Sequence, residues 1–169
     1  MGRHSATGRT AGRVPGGTRI RAGLAAGLAS VGALGGVGIG GVGVADADAE
    51  LVEGTPCTQA ASACVSLEDG RAWLIDDGEI VRGPVAMSHG AAATPTPRGE
   101  FTVEWKNRDH RSREFNGAPM PYAVFFAAGG IAFHQGALDR PSAGCVRLAS
   151  ADAAAFYEFL DVGDRVEVR

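Results

Sequence analysis

A histidine and a cysteine in the last third of the sequence are the residues whose types suit covalent catalysis. His134 closes the hydrophobic run 131–133, and Cys145 follows eleven residues later, after a turn rich in glycine and proline. A thiol attacks carbonyl groups only as the thiolate, and its ordinary pKa of about 8.5 leaves little thiolate at neutral pH. A histidine within hydrogen-bond distance can remove that proton. The pair predicts a Cys145 nucleophile with His134 as its base, against the alternative of a buried structural cysteine beside a surface histidine.

The neighbours of Cys145 have types that could complete such a site. Gly144 allows a sharp turn, and it leaves the backbone amides of Gly144 and Cys145 as candidate oxyanion donors. Arg147 lies two residues after Cys145 on a predicted strand, so both side chains are expected on one face. The guanidinium group of Arg147 could there bind a substrate carboxylate through two hydrogen bonds. Ser142 is expected to orient His134 or the turn, because a serine without its own base is unreactive.

Two of the three cysteines are close together in the sequence, and the third lies far from them. Cys57 and Cys64 are seven residues apart and can close a small disulfide loop in an oxidising compartment. Cys145 is then an odd thiol, which in an exported protein indicates a reactive group. A zinc site is the weaker interpretation, because the sequence contains no C-x-x-C or H-x-x-x-H spacing. We therefore predict neither a metal nor another cofactor.

The N-terminal part has the composition of an export signal. Residues 1–21 contain five arginines and no acidic residue, residues 22–45 carry no charge, and two overlapping A-x-A patterns follow over 45–49. This order predicts a signal peptide over 1–49 and a secreted protein, with an uncleaved membrane anchor as the alternative. No Arg-Arg pair is present, which favours the general secretory route. The net charge of −3 argues against nucleic acid as a partner.

The sequence after the predicted signal peptide indicates a short tether over 50–63 and one catalytic domain over 64–169. Turn signals at 68–70 and 76–78 separate short hydrophobic runs, which predicts an antiparallel meander of three strands. The segment 106–113 is polar and is expected to be a surface loop, and Ser150 is expected to cap a helix that runs to Leu160. Trp73 and Trp105 are expected in the core. The further predicted strands are 100–105, 122–126, 131–134 and 165–169, so the domain is mainly β with one helix after the nucleophile.

Several motifs together resemble the L,D-transpeptidase family of YkuD type. Phe133-His134-Gln135-Gly136 followed by Ser142-Ala143-Gly144-Cys145-Val146-Arg147-Leu148 is similar to the family signature of a histidine element and a later Ser-His-Gly-Cys run. The run 94–101, TPTPRGEF, resembles the family's loop and following strand, and Met120-Pro121-Tyr122 resembles its substrate-side segment. The resemblance covers about 64–169.

The resemblance implies a β-sandwich-like catalytic domain that acts on peptidoglycan stem peptides. Cys145 would attack the carbonyl between meso-diaminopimelate and D-alanine, and an amine of a second stem would resolve the thioester to give a 3→3 cross-link. His134 would activate Cys145 and serve the amine. Carbapenems would acylate the same thiol, and the protein is expected to be a monomer. The residues expected at the substrate are Arg147, Ser142, Tyr122 and Gly136.

Two departures from the family pattern bear on the reaction. The family's second histidine, directly before Gly-Cys, is Ala143 in this sequence, and the loop between His134 and Cys145 is shorter than usual. Two alternatives therefore stay open. One is an L,D-carboxypeptidase that uses water as the acceptor at the same site. The other is a non-catalytic module that binds the cell wall.

Overall fold

The computed structural model describes residues 50–169, so the predicted signal peptide over 1–49 lies outside the described residues. The described part contains nine strands and one α-helix. No helix in this range is long and apolar enough to cross a membrane. The strands are β1 (Ala63–Ser66), β2 (Arg71–Asp76), β3 (Glu79–Ser88), β4 (Gly99–Thr102), β5 (Trp105–Arg111), β6 (Pro119–Ala127), β7 (Ile131–Gln135), β8 (Val146–Leu148) and β9 (Arg165–Val168), and the helix is α1 (Ser150–Phe159).

The nine strands form one sheet in the order β4-β9-β1-β2-β3-β8-β7-β6-β5. Most neighbours are antiparallel, and the pairs β1–β9 and β7–β8 are parallel. The sheet curls until β4 contacts β6, where the rings of Phe101 and Phe126 lie 5.8 Å apart. The prediction of a mainly-β, sandwich-like domain with one helix is confirmed.

The main core fills the space that the curled sheet and α1 enclose. Alternate residues of both halves of the sheet point into it, as the two-residue period of strands requires. Phe126, Phe133 and Phe156 are its largest members, and each is almost fully buried. The Phe133 ring lies 4.8 Å from that of Phe126 and 5.2 Å from that of Phe156. This packing holds β7 rigid, and β7 carries His134.

The strand pattern of the meander is confirmed, and two other elements differ from prediction. The strands β1, β2 and β3 pair in antiparallel order as expected. The segment 106–113, expected to be a surface loop, instead contributes most of β5, the edge strand that pairs with β6. Its polar side chains are compatible with a strand because an edge strand has one partner and faces solvent.

The segment 50–63 is packed rather than a tether, contrary to prediction. Val52, Cys57 and Ala61 are buried in a small cluster with Trp73, which is buried as expected. The predicted disulfide is present, since Cys57 and Cys64 are joined with 2.02 Å between their sulfur atoms. The cluster covers the outer face of the meander, so this segment belongs to the domain.

A buried carboxylate joins the same segment to β9. Glu167 is fully buried, and it accepts hydrogen bonds from the amide of Thr58 at 3.1 Å and from Arg169 at 2.6 Å. Burial acts to raise the pKa of Glu167, but the Thr58 and Arg169 contacts outweigh it and leave that pKa below its ordinary value. Glu167 therefore remains a carboxylate that binds residues from two distant parts of the sequence.

The helix begins without the predicted cap. Ser150 is already the first helical residue, and Ala149 is the N-cap with no side-chain hydrogen bond. Asp152 lies in the first turn, where its charge suits the helix dipole. It also accepts two hydrogen bonds from Arg82 of β3, at 3.0 and 2.8 Å, and this contact ties the start of α1 to the sheet.

Candidate active site

The parallel pair β7–β8 positions the two predicted catalytic residues. Phe133 and Val146 are register partners, and both are fully buried in the main core. Because side chains alternate along a strand, the residues next to them face the opposite side of the sheet. His134 and Cys145 are those residues, and both line one cavity of about 1130 Å³. The structure places the predicted base on β7 and the predicted nucleophile directly before β8, and both line this cavity.

The cavity lies on the outer face of β5, β6 and β7. Met120 and Phe125 line it, and with Ala123 and Ala132 they form a small apolar cluster on which Cys145 packs. Its walls include residues of the loop 112–118, between β5 and β6, and of the loop 136–145, between β7 and β8. An apolar floor with a few polar groups at one end is typical of a site for an organic ligand.

A backbone carbonyl orients the imidazole of His134. Nδ1 lies 2.8 Å from the carbonyl oxygen of Gln135, so Nδ1 carries the proton and donates it. In that tautomer Nε2 is the unprotonated nitrogen. Burial lowers the pKa of His134 below 6.5, the Gln135 carbonyl opposes this, and the Arg147 charge adds to the lowering. His134 is therefore neutral at neutral pH, the form that can accept a proton.

The thiol of Cys145 is half-buried and protonated at rest. Its Sγ lies 3.6 Å from the carbonyl oxygen of Gly130. Burial raises the pKa of Cys145, the backbone of Ala132 and the charge of Arg147 oppose this, and Glu114 adds to the rise. A neutral thiol beside a neutral imidazole requires the proton to leave sulfur as the carbonyl is attacked.

Ser142 organises the turn that carries the nucleophile. Its hydroxyl donates to the carbonyl of Cys145 at 2.6 Å and accepts from the amide of Gly144 at 3.0 Å. Its own amide donates to the carbonyl of His89 at 2.8 Å. The side chain is buried, so these contacts are shielded from water. Of the roles expected for Ser142, the structure supports the one in the turn, and these contacts do not include His134.

A buried threonine, which the sequence analysis did not single out, supports the same turn from the other side. Thr96 is 3% exposed, and its hydroxyl donates to the carbonyl of Gly144 at 2.7 Å and accepts from the amide of Gly90 at 2.9 Å. A side chain added at Gly90 would lie 2.1 Å from the carbonyl oxygen of Thr94, so the loop can approach only a glycine. The sequence feature that could have pointed to this residue is the repeated Thr-Pro in the run 94–97. Thr96, the second threonine of the repeat, is the buried one.

Gly144 is required by the turn, but its amide is not a free oxyanion donor. Its φ is +120°, which favours glycine, and a Cβ there would lie 2.5 Å from Cδ1 of Ile131. The amide already donates to Ser142, so one of the two predicted oxyanion donors is engaged, contrary to prediction. The amide of Cys145 stays a prediction for that role.

Arg147 braces the loop that leads to the nucleophile. Its guanidinium donates to the carbonyls of Ala137 at 3.4 Å, Arg140 at 3.3 Å and Pro141 at 3.2 Å. A Cβ at Gly136 would lie 2.5 Å from Cδ of Arg147, so Gly136 makes room for this side chain. Both residues line the cavity, and the contacts of Arg147 hold the loop. Carboxylate binding by Arg147 stays a prediction.

Tyr122 lies away from the cavity, contrary to prediction. Its ring lies 6.1 Å from that of Tyr157 in α1 and 5.1 Å from the guanidinium carbon of Arg108. Tyr122 has a φ of +58°, an uncommon conformation for a tyrosine, and it packs against the main core. The neighbouring Met120 is the residue of this segment that lines the cavity.

Trp105 and His110 also differ from expectation. Trp105 was expected in the core, yet it is 42% exposed and lines the cavity. His110, in the segment expected to be a solvated loop, lines the same cavity. Sequence reasoning missed both because it ended a strand at Trp105, whereas the structure begins β5 there.

Comparisons with known proteins agree with this geometry. The family model of the L,D-transpeptidase catalytic domain, YkuD, matches residues 60–168. A search of curated proteins found no match. Among solved structures, an L,D-transpeptidase from Stackebrandtia nassauensis is similar at 30% identity and a TM-score of 0.60, over 63% of this chain and 54% of that one.

Two further structures extend the similarity. An L,D-transpeptidase from Mycobacterium tuberculosis H37Rv matches at 27% identity and a TM-score of 0.59, over 65% of this chain and 57% of that one. An L,D-transpeptidase solved in complex with imipenem, LdtMt1, shares the fold at 24% identity and a TM-score of 0.58, over 65% of this chain and 59% of that one. In each case the match spans less than two thirds of the solved protein.

Proposed function

We infer the function from a premise that the family match establishes: this chain belongs to the L,D-transpeptidase (YkuD) catalytic domain family. We propose that it is a cysteine acyltransferase that forms 3→3 cross-links between peptidoglycan stem peptides. The observation that carries the proposal is the placement of His134 on β7 and of Cys145 directly before the adjacent parallel strand β8, with both lining one cavity. We propose an extracytoplasmic location, secreted or wall-associated, because the substrate lies there.

The first half-reaction forms a thioester on Cys145. Its sulfur attacks the carbonyl carbon between meso-diaminopimelate and D-alanine while the thiol proton passes to Nε2 of His134. The same proton then moves to the nitrogen of D-alanine, the C–N bond breaks and D-alanine leaves. The hydrogen bond from Nδ1 to Gln135 keeps Nε2 available and stabilises the imidazolium while it holds the proton.

The second half-reaction transfers the acyl group to an amine of another stem. Nε2 of His134 takes a proton from the amine as its nitrogen attacks the thioester carbonyl, and that proton returns to the departing Cys145 sulfur. The rigid turn built by Ser142 and Thr96 keeps the sulfur in place through both steps. Water in place of the amine would make the protein an L,D-carboxypeptidase.

The test is covalent labelling of the purified protein with a carbapenem. The β-lactam carbonyl replaces the scissile carbonyl, so we expect a mass increase equal to the inhibitor on the peptide that contains Cys145. The assignment is direct because Cys57 and Cys64 are joined in a disulfide and Cys145 is the free cysteine. Cys145→Ala is the control and should show no adduct. If Cys145 reacts with a small thiol reagent but forms no carbapenem adduct, the proposal is contradicted.

Products from a tetrapeptide stem separate the remaining alternatives. Cross-linked dimers support transfer, tripeptide alone supports hydrolysis, and retention of unchanged substrate by both the parent and Cys145→Ala supports a wall-binding module. Ala143 is the residue that motivates this comparison, because the family places a histidine there.

A further inference from the structure

An exposed tryptophan forms a flat platform at the end of the cavity that lies away from the nucleophile. Trp105 stacks on Phe125 with ring centroids 3.7 Å apart and planes 5° from parallel. The His110 ring stands nearly perpendicular to both, with its centroid 5.4 Å from that of Trp105 and 5.0 Å from that of Phe125. These distances place His110 beside the stack. The face of Trp105 opposite Phe125 is therefore covered by neither ring.

The platform is in the same cross-strand row as the nucleophile. Trp105 pairs with Phe125, Phe125 pairs with Ala132, and Phe133 pairs with Val146, so Cys145 is the next member of the row after Ala132. The row crosses four strands, and three inter-strand spacings amount to about 14–15 Å. Trp105 and Cys145 thus lie about this far apart along the cavity that both of them line.

This separation matches the length of a stem peptide. Three residues precede the carbonyl that Cys145 would attack, and in extended form they span about 10 Å. The γ-linkage of the glutamate residue and the lactyl ether that joins the stem to its sugar add several bonds to this length. A donor whose scissile carbonyl lies at Cys145 can therefore place its first sugar ring over Trp105.

The charges of the cavity favour a neutral ligand on the platform over a cation. A tryptophan face attracts cations and also the weakly positive C–H groups of a sugar ring. A cation would have to enter a cavity whose ionised side chains are mainly arginines. The polar side chains of Asn107 and His110 line the same cavity, where they could meet hydroxyl or amide groups. The charged residues that line the cavity are Arg113, Arg140, Arg147 and Glu114.

We propose that Trp105 binds the hexosamine ring of the glycan strand to which the donor stem peptide is attached. This inference rests on the proposed function and adds to it a sugar subsite. The platform makes the glycan-linked stem, rather than the free peptide, the preferred donor. Trp105 acts in donor selection and takes no part in bond breaking.

The test compares two donors, the free tetrapeptide stem and the same stem attached to its disaccharide, with release of D-alanine as the readout. We expect the parent protein to prefer the disaccharide-linked donor in kcat/KM, and Trp105→Ala to lose about two- to tenfold of that preference, the range of one aromatic contact. The effect should appear in KM for the disaccharide-linked donor rather than in kcat. Trp105→Phe keeps an aromatic face and should retain most of the preference.

Phe115→Ala is the matched control, since Phe115 is an exposed aromatic residue on the loop 112–118 of the same cavity. It should affect both donors equally, and an equal loss of preference in Phe115→Ala would overturn the assignment to Trp105. Equal kcat/KM for the two donors in the parent protein would refute the sugar subsite and leave the proposed function intact. No D-alanine release from either donor would refute the proposed function itself.

Fluorescence gives a second readout that needs no turnover. The sequence has two tryptophans, and Trp73 is 5% exposed. In a Cys145→Ala background, the disaccharide-linked stem should therefore shift the emission of Trp105, and the free stem should not. The same shift from both donors would contradict sugar binding at Trp105.

Discussion

The two threonines of the run 94–97 look equivalent in the sequence, and the structure predicts that they are not. Thr96→Val removes a buried hydroxyl that joins the amide of Gly90 to the carbonyl of Gly144, at 2.9 and 2.7 Å. Valine has nearly the same shape and volume, so the change tests the hydroxyl rather than the packing. Thr94→Val is the matched variant, because Thr94 is exposed and its hydroxyl lies 3.4 Å from the carbonyl of Ser142.

The magnitude follows from the two groups that lose a partner, the amide of Gly90 and the carbonyl of Gly144. Each buried polar group left unsatisfied costs about 1–3 kcal/mol, so Thr96→Val should lower the free energy of unfolding by about 2–6 kcal/mol. Domains of this size have about 5–15 kcal/mol of stability, so a loss in the lower half of that range leaves the variant folded. Thr94→Val should change the free energy of unfolding by less than about 0.5 kcal/mol. Because Gly144 precedes the nucleophile, Thr96→Val should also slow acylation of Cys145 by about ten- to a hundredfold.

The assay combines urea unfolding with the rate of carbapenem adduct formation on the folded variants. Thr96→Ser keeps the hydroxyl and should restore most of the acylation rate, although it loses a buried methyl group. The reasoning is refuted by either of two results: Thr96→Val and Thr94→Val lose equal stability, or Thr96→Val loses stability while its acylation rate stays that of the parent protein.

Three further predictions concern the site and the N-terminal segment. Gly144→Ala should slow acylation at least tenfold and lower the Tm, because its Cβ would meet Ile131 and the residue has a positive φ, and parent-like adduct formation would contradict this. The acid limb of the kcat/KM profile should lie below pH 6.5, because burial lowers the pKa of His134, and a limb above pH 6.5 would contradict it. Glu167→Gln should lower the free energy of unfolding at pH 7 by about 1–3 kcal/mol. Since the pKa of Glu167 is lowered in the folded state, the difference between Glu167→Gln and the parent protein should shrink as pH falls below 4.5, and a difference that is constant with pH would contradict this.

The sequence predicted the parts of the fold that depend on local patterns. Turn signals at 68–70 and 76–78 predicted the meander, and the spacing of Cys57 and Cys64 predicted their disulfide. Local patterns did not predict which segment forms the edge strand of the sheet, or which segment packs on its outer face. The polar segment 106–113 forms a strand because β6 offers it a partner, and 50–63 packs because the outer face of Trp73 has to be covered.

For the candidate site, too, residue types and strand alternation predicted one part, and the rest depends on tertiary structure. The chemistry of His134 and Cys145 is evident from residue type, and their shared face follows from strand alternation. The contacts of Arg147 and Ser142 were not predictable, because they depend on the path of the loop 136–145. Trp105 was assigned to the core because a hydrophobic type in an alternating run gives no information on which face of a strand is covered.

The position of β9 has a consequence for the order in which the domain can fold. This strand follows all the others in the sequence, yet it lies between β4 and β1 within the sheet. The disulfide between Cys57 and Cys64 joins residues seven apart, so it can form before the later strands have folded. The carbonyl of Glu167 then comes to lie 3.7 Å from Sγ of Cys57. Until β9 is in place, β1 and β4 lack the strand that lies between them. The sheet is therefore completed only when β9, the last strand of the domain, has paired with both.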